Sequence, residues 1–369
     1  MKLRWARDVD WVLVGTTCAL VVYGVVILVS ATHGAADAAA FLRARVLHLG
    51  LGIAALVAMS TIDYRRLASP WPVLYVGTLL LLASVLVVGE SRLGAQRWIV
   101  LGPFGGFQPS EAAKLAIVLT LARHLDPVKT VRRLRELAPY VLHVAVPMLL
   151  IVRQPDLGTA LVLGAILLAM LYVAGARLRV LGGLAAAAMA IAPLAWHVLH
   201  DYQRRRLVAF LDPSADPLGA GYALIQSRIA VGSGQLFGKG LFAGTQNLLR
   251  FIPEQHTDFI FTVVGEELGL LGATVLLALY LIWLWRALEI AAAARDRLGA
   301  LIATGIATMM AFHVVINIGM TIGLMPVTGI PLPLMSHGGS SLLTTLAAVG
   351  LLLSIRARSV GQFGGSSPV

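Results

Sequence analysis

Ten apolar runs follow one another through this chain, at approximately 10–31, 46–62, 71–89, 112–124, 138–152, 158–175, 179–198, 260–285, 298–322 and 340–355. Crossing about 30 Å of hydrocarbon takes roughly 20 apolar residues in a helix. Most of the runs approach that length; the fourth and fifth must be tilted or extended by flanking residues. With 58% hydrophobic and 13% charged residues, the chain also lies far from a soluble globule, where about a quarter of residues are charged. The expected fold is an all-α polytopic membrane protein of about ten transmembrane helices. The one long interruption, 198–262, is expected to be a large extracytoplasmic loop between the seventh and eighth.

Charge sets the orientation, because short cytoplasmic loops are enriched in Lys and Arg. With the N-terminus inside (Lys2, Arg4, Arg7), the inner segments carry Arg65 and Arg66; Arg123, Lys129, Arg132, Arg133 and Arg135; Arg177 and Arg179; Arg286, Arg295 and Arg297; and Arg356 and Arg358. These make up more than half of the 29 basic residues. Outside the insert, the outer segments keep only Arg43, Arg45, Arg92, Arg97, Arg153 and the span-embedded Lys114. Both termini are therefore expected in the cytoplasm. The net charge of +11 is absorbed by loops facing anionic lipid, which argues against nucleic acid as a partner. The first run is too long for a signal-peptide core of 7–15 residues and reads as a span. A single cysteine, Cys18, excludes an intramolecular disulfide and a Cys-based metal site. Residues 361–369 read as a short tail with no appended soluble domain.

Polar chemistry concentrates in and around the insert. Glu111 and Lys114 fall at i, i+3 on one face of the fourth span, either as a structural ion pair or lining a cavity; Pro109 or Ser110 begins that helix. Asp156 in Arg-Gln-Pro-Asp at 153–156 either caps the sixth span or joins a site. Arg153, Arg204, Arg205, Arg206, Arg228, Lys239 and Arg250 lie on the outer side against the positive-inside bias, and guanidinium suits phosphate oxygens. A solvated face balanced by Asp201, Asp212, Asp216, Glu254 and Asp258 is the alternative. The Gly-rich run 232–244 resembles a phosphate-cradling loop but is no nucleotide P-loop, since Ser233 and Gly240 occupy the places of its first Gly and its Ser or Thr. Pro-Glu-Gln-His-Thr-Asp at 253–258 crowds His256 and two carboxylates at the mouth of the eighth span. There Asp258 is expected to have a raised pKa suited to a general base, with helix cap and metal ligand as competing readings. Glu266 and Glu267 could add acidic character for a divalent cation, although no HExxH or EF-hand spacing is present.

Several motifs together resemble the SEDS family of cell-wall polymerases. They are Arg-Trp-Ile at 97–99, Gln-Pro-Ser-Glu at 108–111 followed by Lys114, Gln-Pro-Asp-Leu-Gly-Thr-Ala at 154–160, and Phe-Leu-Asp-Pro at 210–213. Arg-Phe-Ile-Pro-Glu-Gln-His-Thr-Asp-Phe-Ile-Phe at 250–261, Glu-Glu-Leu-Gly at 266–269, Asn-Ile-Gly-Met at 317–320 and the stretch 326–341 complete the set. They run in order along nearly the whole chain. Ile-Pro-Leu-Pro-Leu at 330–334 and a short N-terminus are most similar to the family's elongation branch. His337 departs from the Tyr usual in Ser-Tyr-Gly-Gly-Ser-Ser, which puts any role for a phenol there in doubt.

The resemblance implies a peptidoglycan glycosyltransferase of the bacterial cytoplasmic membrane that polymerises lipid II on its outer face, with the family's essential aspartate at Asp258. It implies undecaprenyl diphosphate as the leaving group, with Arg153, Arg204, Arg205, Arg206, Lys239 and Arg250 as candidate diphosphate ligands, and a divalent cation, Mg²⁺ or Mn²⁺, as cofactor. Glu111, Lys114, His256, Ser336 and Ser340 join the candidate substrate-binding set. The implied partners are a class B penicillin-binding protein, other elongation-complex membrane proteins and membrane lipid. A lipid II flippase or a non-catalytic scaffold is the alternative.

Overall fold

The computed structural model describes residues 9–34, 37–92, 95–100, 102, 105–128, 133–196, 199, 201–216 and 219–360. Lys2, Arg4, Arg7, Lys129, Arg132 and residues 361–369, read above as inner segments and tail, lie outside the described residues, as does Val198 at the start of the insert.

Each of the ten apolar runs is a helix. They are α1 (Trp11–Ala31), α2 (Ala38–Thr61), α4 (Trp71–Val88), α5 (Pro109–Leu125), α6 (Ala138–Arg153), α7 (Leu157–Val173), α8 (Leu178–Ala195), α12 (Ile260–Ala292), α13 (Arg297–Thr321) and α14 (Gly339–Val360), with short α3 (Tyr64–Ala68) between α2 and α4. Among the described residues, seven helical stretches are long and apolar enough to cross a membrane outright; α5 and α7 are shorter, and the apolar part of α8 spans Leu178–Ile191. Helix starts follow from side chains that satisfy orphan amides: Asp10 accepts from Leu13 N at 3.0 Å, and Asp296 from Gly299 N at 2.8 Å. Pro109 opens α5, where its missing N–H costs nothing. The centre of the bundle is α13 and α14, the most enclosed helices, while α2 and α4 turn apolar side chains outward, as hydrocarbon contact requires.

One face of the bundle carries the insert. There α9 (Asp201–Leu211), α10 (Ala220–Ser233) and α11 (Thr245–Leu248) cover the helix ends. A three-stranded antiparallel sheet, β1 (Glu90–Arg92), β2 (Ala95–Val100) and β3 (Gly106–Phe107), fills the α4–α5 connection, an element the apolar pattern did not predict. A second difference concerns Arg45, expected in an outer segment. It lies inside α2, which starts eight residues earlier than the apolar run, and is buried. The guanidinium is tolerated because it donates to the carbonyls of Leu334 and Ser336, supplying hydrogen bonds to a stretch of non-helical backbone inside the bundle.

The Gly-rich run 232–244 packs backbone against backbone. Gly269 has φ 63°, which breaks the α12 hydrogen-bond ladder, and Gln235 and Leu236 carbonyls accept from the freed Leu270 and Leu271 amides at 2.8 and 3.0 Å. In return Lys239 N and Gly240 N donate to the Glu266 and Glu267 carbonyls. A Cβ on Gly238, itself at φ 78°, would stand 2.1 Å from the Glu267 carbonyl oxygen. Gly238→Ala is therefore expected to destabilise the protein by about 2 kcal/mol or more. Gly164→Ala, in α7 with open space around it, should be neutral or slightly stabilising. Thermal unfolding of both variants in detergent checks this.

Candidate active site

Asp258 sits in the last turn before α12, on the segment 250–259. Two residues of that segment, Arg250 and Glu254, have φ near +50°, a strained backbone for side chains with a Cβ. The segment is held from behind at three consecutive carbonyls. His337 N donates to His256 O at 2.9 Å, Ser336 Oγ to Thr257 O at 2.6 Å, and Asn317 Nδ2 to Asp258 O at 2.9 Å. With its main chain fixed, the half-buried Asp258 side chain faces the insert side.

Two guanidiniums act on it. Arg206 comes from α9, its Nη1 3.5 Å from the Val327 carbonyl and its guanidinium over the Tyr202 ring. Arg97 comes from β2 and is locked by Gln154 O at 3.1 Å, Pro155 O and Tyr202 Oη at 3.0 Å. Gly329, at φ 73°, forms the floor between carboxylate and cation. A Cβ there would meet Asp258 Oδ2 at 3.2 Å and Arg206 Nη1 at 3.4 Å. Removal from water pushes the Asp258 pKa up to about 6, against the pull of Arg206 and Arg97 and with Glu254 adding to the rise. Burial holds the neighbouring His256 below its ordinary value and lowers His337 to about 4, with the nearby positive groups adding to the shift. Phe41 packs against both rings, at 4.8 Å from His256 and edge-on at 5.0 Å from His337, and the two imidazoles lie 5.9 Å apart.

The remaining candidates are spread over the fold. Lys239 bonds Glu266 Oε1 at 2.7 Å and Thr245 at 2.9 Å. Arg250 reaches Gly34 O at 2.8 Å. Arg204 donates to Trp196 O at 3.0 Å and lies over its ring; Arg153 and Arg205 are exposed. Ser340 Oγ accepts from Gln108 N at 2.8 Å, joining the starts of α5 and α14. Ser336 Oγ also accepts from Leu332 N at 2.8 Å. Glu111 and Lys114 pair at 2.7 Å in the bundle interior, facing a small cleft with Trp283, Met309, His313 and Thr344. Asp156 caps α7 through Thr159 N and also accepts from Gln108 Nε2 and Ser110 Oγ at 3.1 and 3.3 Å. Glu266 and Glu267 face the Gly-rich run and α11, with Gln246 N on Glu266 and Phe242 N on Glu267. Among the described residues, no three His, Cys, Asp or Glu side chains cluster closely enough to hold a metal ion.

Arg97 and Asn317 belong to the site without having been singled out from the sequence, although both lie in motifs recognised there. Arg97 was noted as an outer basic residue and as the first of Arg-Trp-Ile, and Asn317 as the first of Asn-Ile-Gly-Met, without a role given to either.

These features define a polytopic helical membrane protein with a desolvated carboxylate flanked by arginines beside one membrane face. The FTSW/RODA/SPOVE family model, described as cell cycle protein, matches residues 10–360, and the chain belongs to that family. It is 41% identical over 338 residues to the peptidoglycan glycosyltransferase MrdB of Escherichia coli K12, covering 91% of this chain and 90% of that protein. It is 34% identical to the peptidoglycan glycosyltransferase RodA of Treponema pallidum, over 98% of this chain and all of that one. Among solved structures, it superposes on a chain of a peptidoglycan synthase complex that coordinates polymerization and crosslinking, with a TM-score of 0.81 at 38% identity, covering 96% of this chain and 99% of that one. Thermus thermophilus RodA gives 0.71 at 35%, covering 94% and 96%.

Proposed function

We propose that this chain is a peptidoglycan glycosyltransferase that polymerises lipid II during cell elongation. The observation that carries the reading is the Asp258 carboxylate, raised toward neutrality between Arg97 and Arg206, in a chain whose relatives bear that activity in their names. The 4-hydroxyl of one N-acetylglucosamine attacks the anomeric carbon of N-acetylmuramic acid in the growing strand. Asp258 takes the hydroxyl proton as the new C–O bond forms, and the bond to undecaprenyl diphosphate breaks with its electron pair leaving on the diphosphate. A base with a pKa near 6 is ionised at neutral pH yet basic enough to accept that proton. Attack opposite the leaving group converts the α-linked donor into a β-linked product.

Arg206 is positioned to receive the charge that develops on the departing diphosphate. Arg97 is more firmly tethered and sets the electrostatics of the pocket. Among the described residues no three-ligand cluster exists to hold a Mg²⁺ or Mn²⁺ cofactor, so such an ion would be carried by the substrate diphosphate rather than by Asp258, whose role as base needs its raised pKa. Such an ion would supply further neutralisation of the leaving group. The excess of Lys and Arg on loops opposite the insert supports a cytoplasmic-membrane orientation with both termini inside. Likeness to a chain of a synthase complex supports a class B penicillin-binding protein as partner.

Purified protein with its partner, the partner's own polymerase capacity removed, is expected to convert lipid II into glycan strands. Movement of lipid II across liposomes without polymer would overturn the reading in favour of transport. In the same assay Arg206→Ala should lower kcat/KM by about 10²–10³-fold.

A further inference from the structure

We infer that Asn317 is the positioning residue for Asp258, acting with Ser336 to fix the main chain that aims the carboxylate; this rests on Asp258 being the base proposed above. Asn317 is fully buried near the insert-side end of α13. Its Nδ2 donates to two carbonyls, Asp258 O at 2.9 Å and Ile330 O at 2.7 Å. The two belong to different non-helical segments, 250–259 and 322–338, which meet at the site and whose relative position no helix fixes. One amide group on α13 binds both, alongside the direct links that Ser336 and His337 make between them.

The orientation of that amide follows from its partners. Both hydrogens of Nδ2 are consumed by carbonyl oxygens, and rotating the group by 180° would set Oδ1 against them with no hydrogen between. Oδ1 meets no protein donor, so the protein contacts of this side-chain amide are made by its two donors. Substitution by the isosteric acid tests this directly, since an ionised Asp at 317 has acceptors only and would repel both carbonyls.

Ser336 performs the same task one residue earlier, donating to Thr257 O while accepting Leu332 N. His337 N holds His256 O, but through its own main chain, so no substitution removes it cleanly. The carboxylate at the end of this support faces Arg206 from α9, Arg97 from β2 and Glu254 from its own segment. Loosening the support admits water to Asp258, and hydration returns its pKa toward the ordinary carboxylate range.

The test is the pH–rate profile of lipid II polymerisation for wild type, Asn317→Ala, Asn317→Asp, Ser336→Ala and Asp258→Asn, each with the partner protein. Folded protein is quantified by size exclusion and thermal unfolding. Asn317→Ala and Asn317→Asp are expected to lower kcat by about 10²-fold with KM changed less than threefold, as for a misplacement of the order of 1 Å. Ser336→Ala should lose about tenfold, and the acid limb of all three should move down by half a pH unit or more. The limb is the readout that a purely structural role would not move. Folded variants with kcat within twofold of wild type, or losses that follow folded protein with the acid limb unmoved, overturn the positioning role. If Asn317→Ala does not fold, Ser336→Ala decides on the same criteria. Wild-type activity in Asp258→Asn removes the base assignment and the positioning role with it, whereas an inactive Asp258→Asn beside silent Asn317 variants removes the positioning role alone.

Discussion

Asp258→Asn is expected to abolish glycan polymerisation, by at least about 10²–10⁴-fold, and to raise thermal stability at pH 7.5. The two effects have one cause. The wild-type carboxylate is held away from much of its hydration, and burial is what raises its pKa to about 6. A carboxyl with a pKa raised on folding takes up a proton more readily in the folded than in the unfolded chain, between the ordinary value near 4 and about 6. The folded state therefore gains stability as pH falls through that window and has lost the gain once pH exceeds about 6. At neutral pH the ionised group opposes folding, and the neutral amide of Asn removes that opposition. Activity has the opposite dependence. A general base works only when ionised, so log kcat/KM should rise with unit slope below about pH 6 and level off above it. Thermal melts and initial rates between pH 5 and 8 check both, and loss of activity accompanied by a lower unfolding temperature would mean that the substitution had disrupted the fold.

What could be read from the sequence divides along physical lines. Apolar run length is a property of consecutive residues, so the ten helices that the apolar runs form were visible, including α5 with Glu111 and Lys114 embedded in it. Asp258 was visible because a carboxylate at the mouth of an apolar run is expensive wherever the chain goes next. Long-range contacts were not visible in the same way. Nothing in residues 90–107 announces that a small sheet will bring Arg97 onto the 154–155 turn. Arg45 looks like a loop residue until two carbonyls from positions 334 and 336 arrive to satisfy it. The run 232–244 looks like an anion cradle because its glycines could present amides to a phosphate. In the fold those amides meet the Glu266 and Glu267 carbonyls, since Gly269 kinks α12 and leaves a backbone gap to fill. Of three adjacent arginines, one turn of α9 brings only Arg206 to bear on Asp258, and helix phase alone did not determine which.

Single substitution of either member of the Glu111–Lys114 pair is expected to cost about 3–5 kcal/mol, with most of the loss recovered in Glu111→Gln/Lys114→Met. Both side chains are almost wholly buried, so removing one strands the other's charge in the bundle. Lys114 has only donors. Its 2.7 Å contact with His313 Nε2 therefore makes that nitrogen the acceptor and leaves the ring proton on Nδ1, directed at Pro331 O at 3.2 Å. His313 and Asn317 are four residues apart on α13 and hold adjacent carbonyls, Pro331 and Ile330, of the segment that floors the site. The ion pair thus fixes the tautomer of a histidine that helps carry the Asp258 surroundings. Lys114→Met alone should lose activity as well as stability, because stranding Glu111 disturbs the histidine and through it the 322–338 segment. The double variant restores stability but leaves Nε2 without its donor, so its activity should recover less completely than its unfolding temperature. Measuring both in the two single variants and the double separates the cost of a stranded charge from the cost of a released loop; equal recovery of the two would show that the pair supports the site through stability alone.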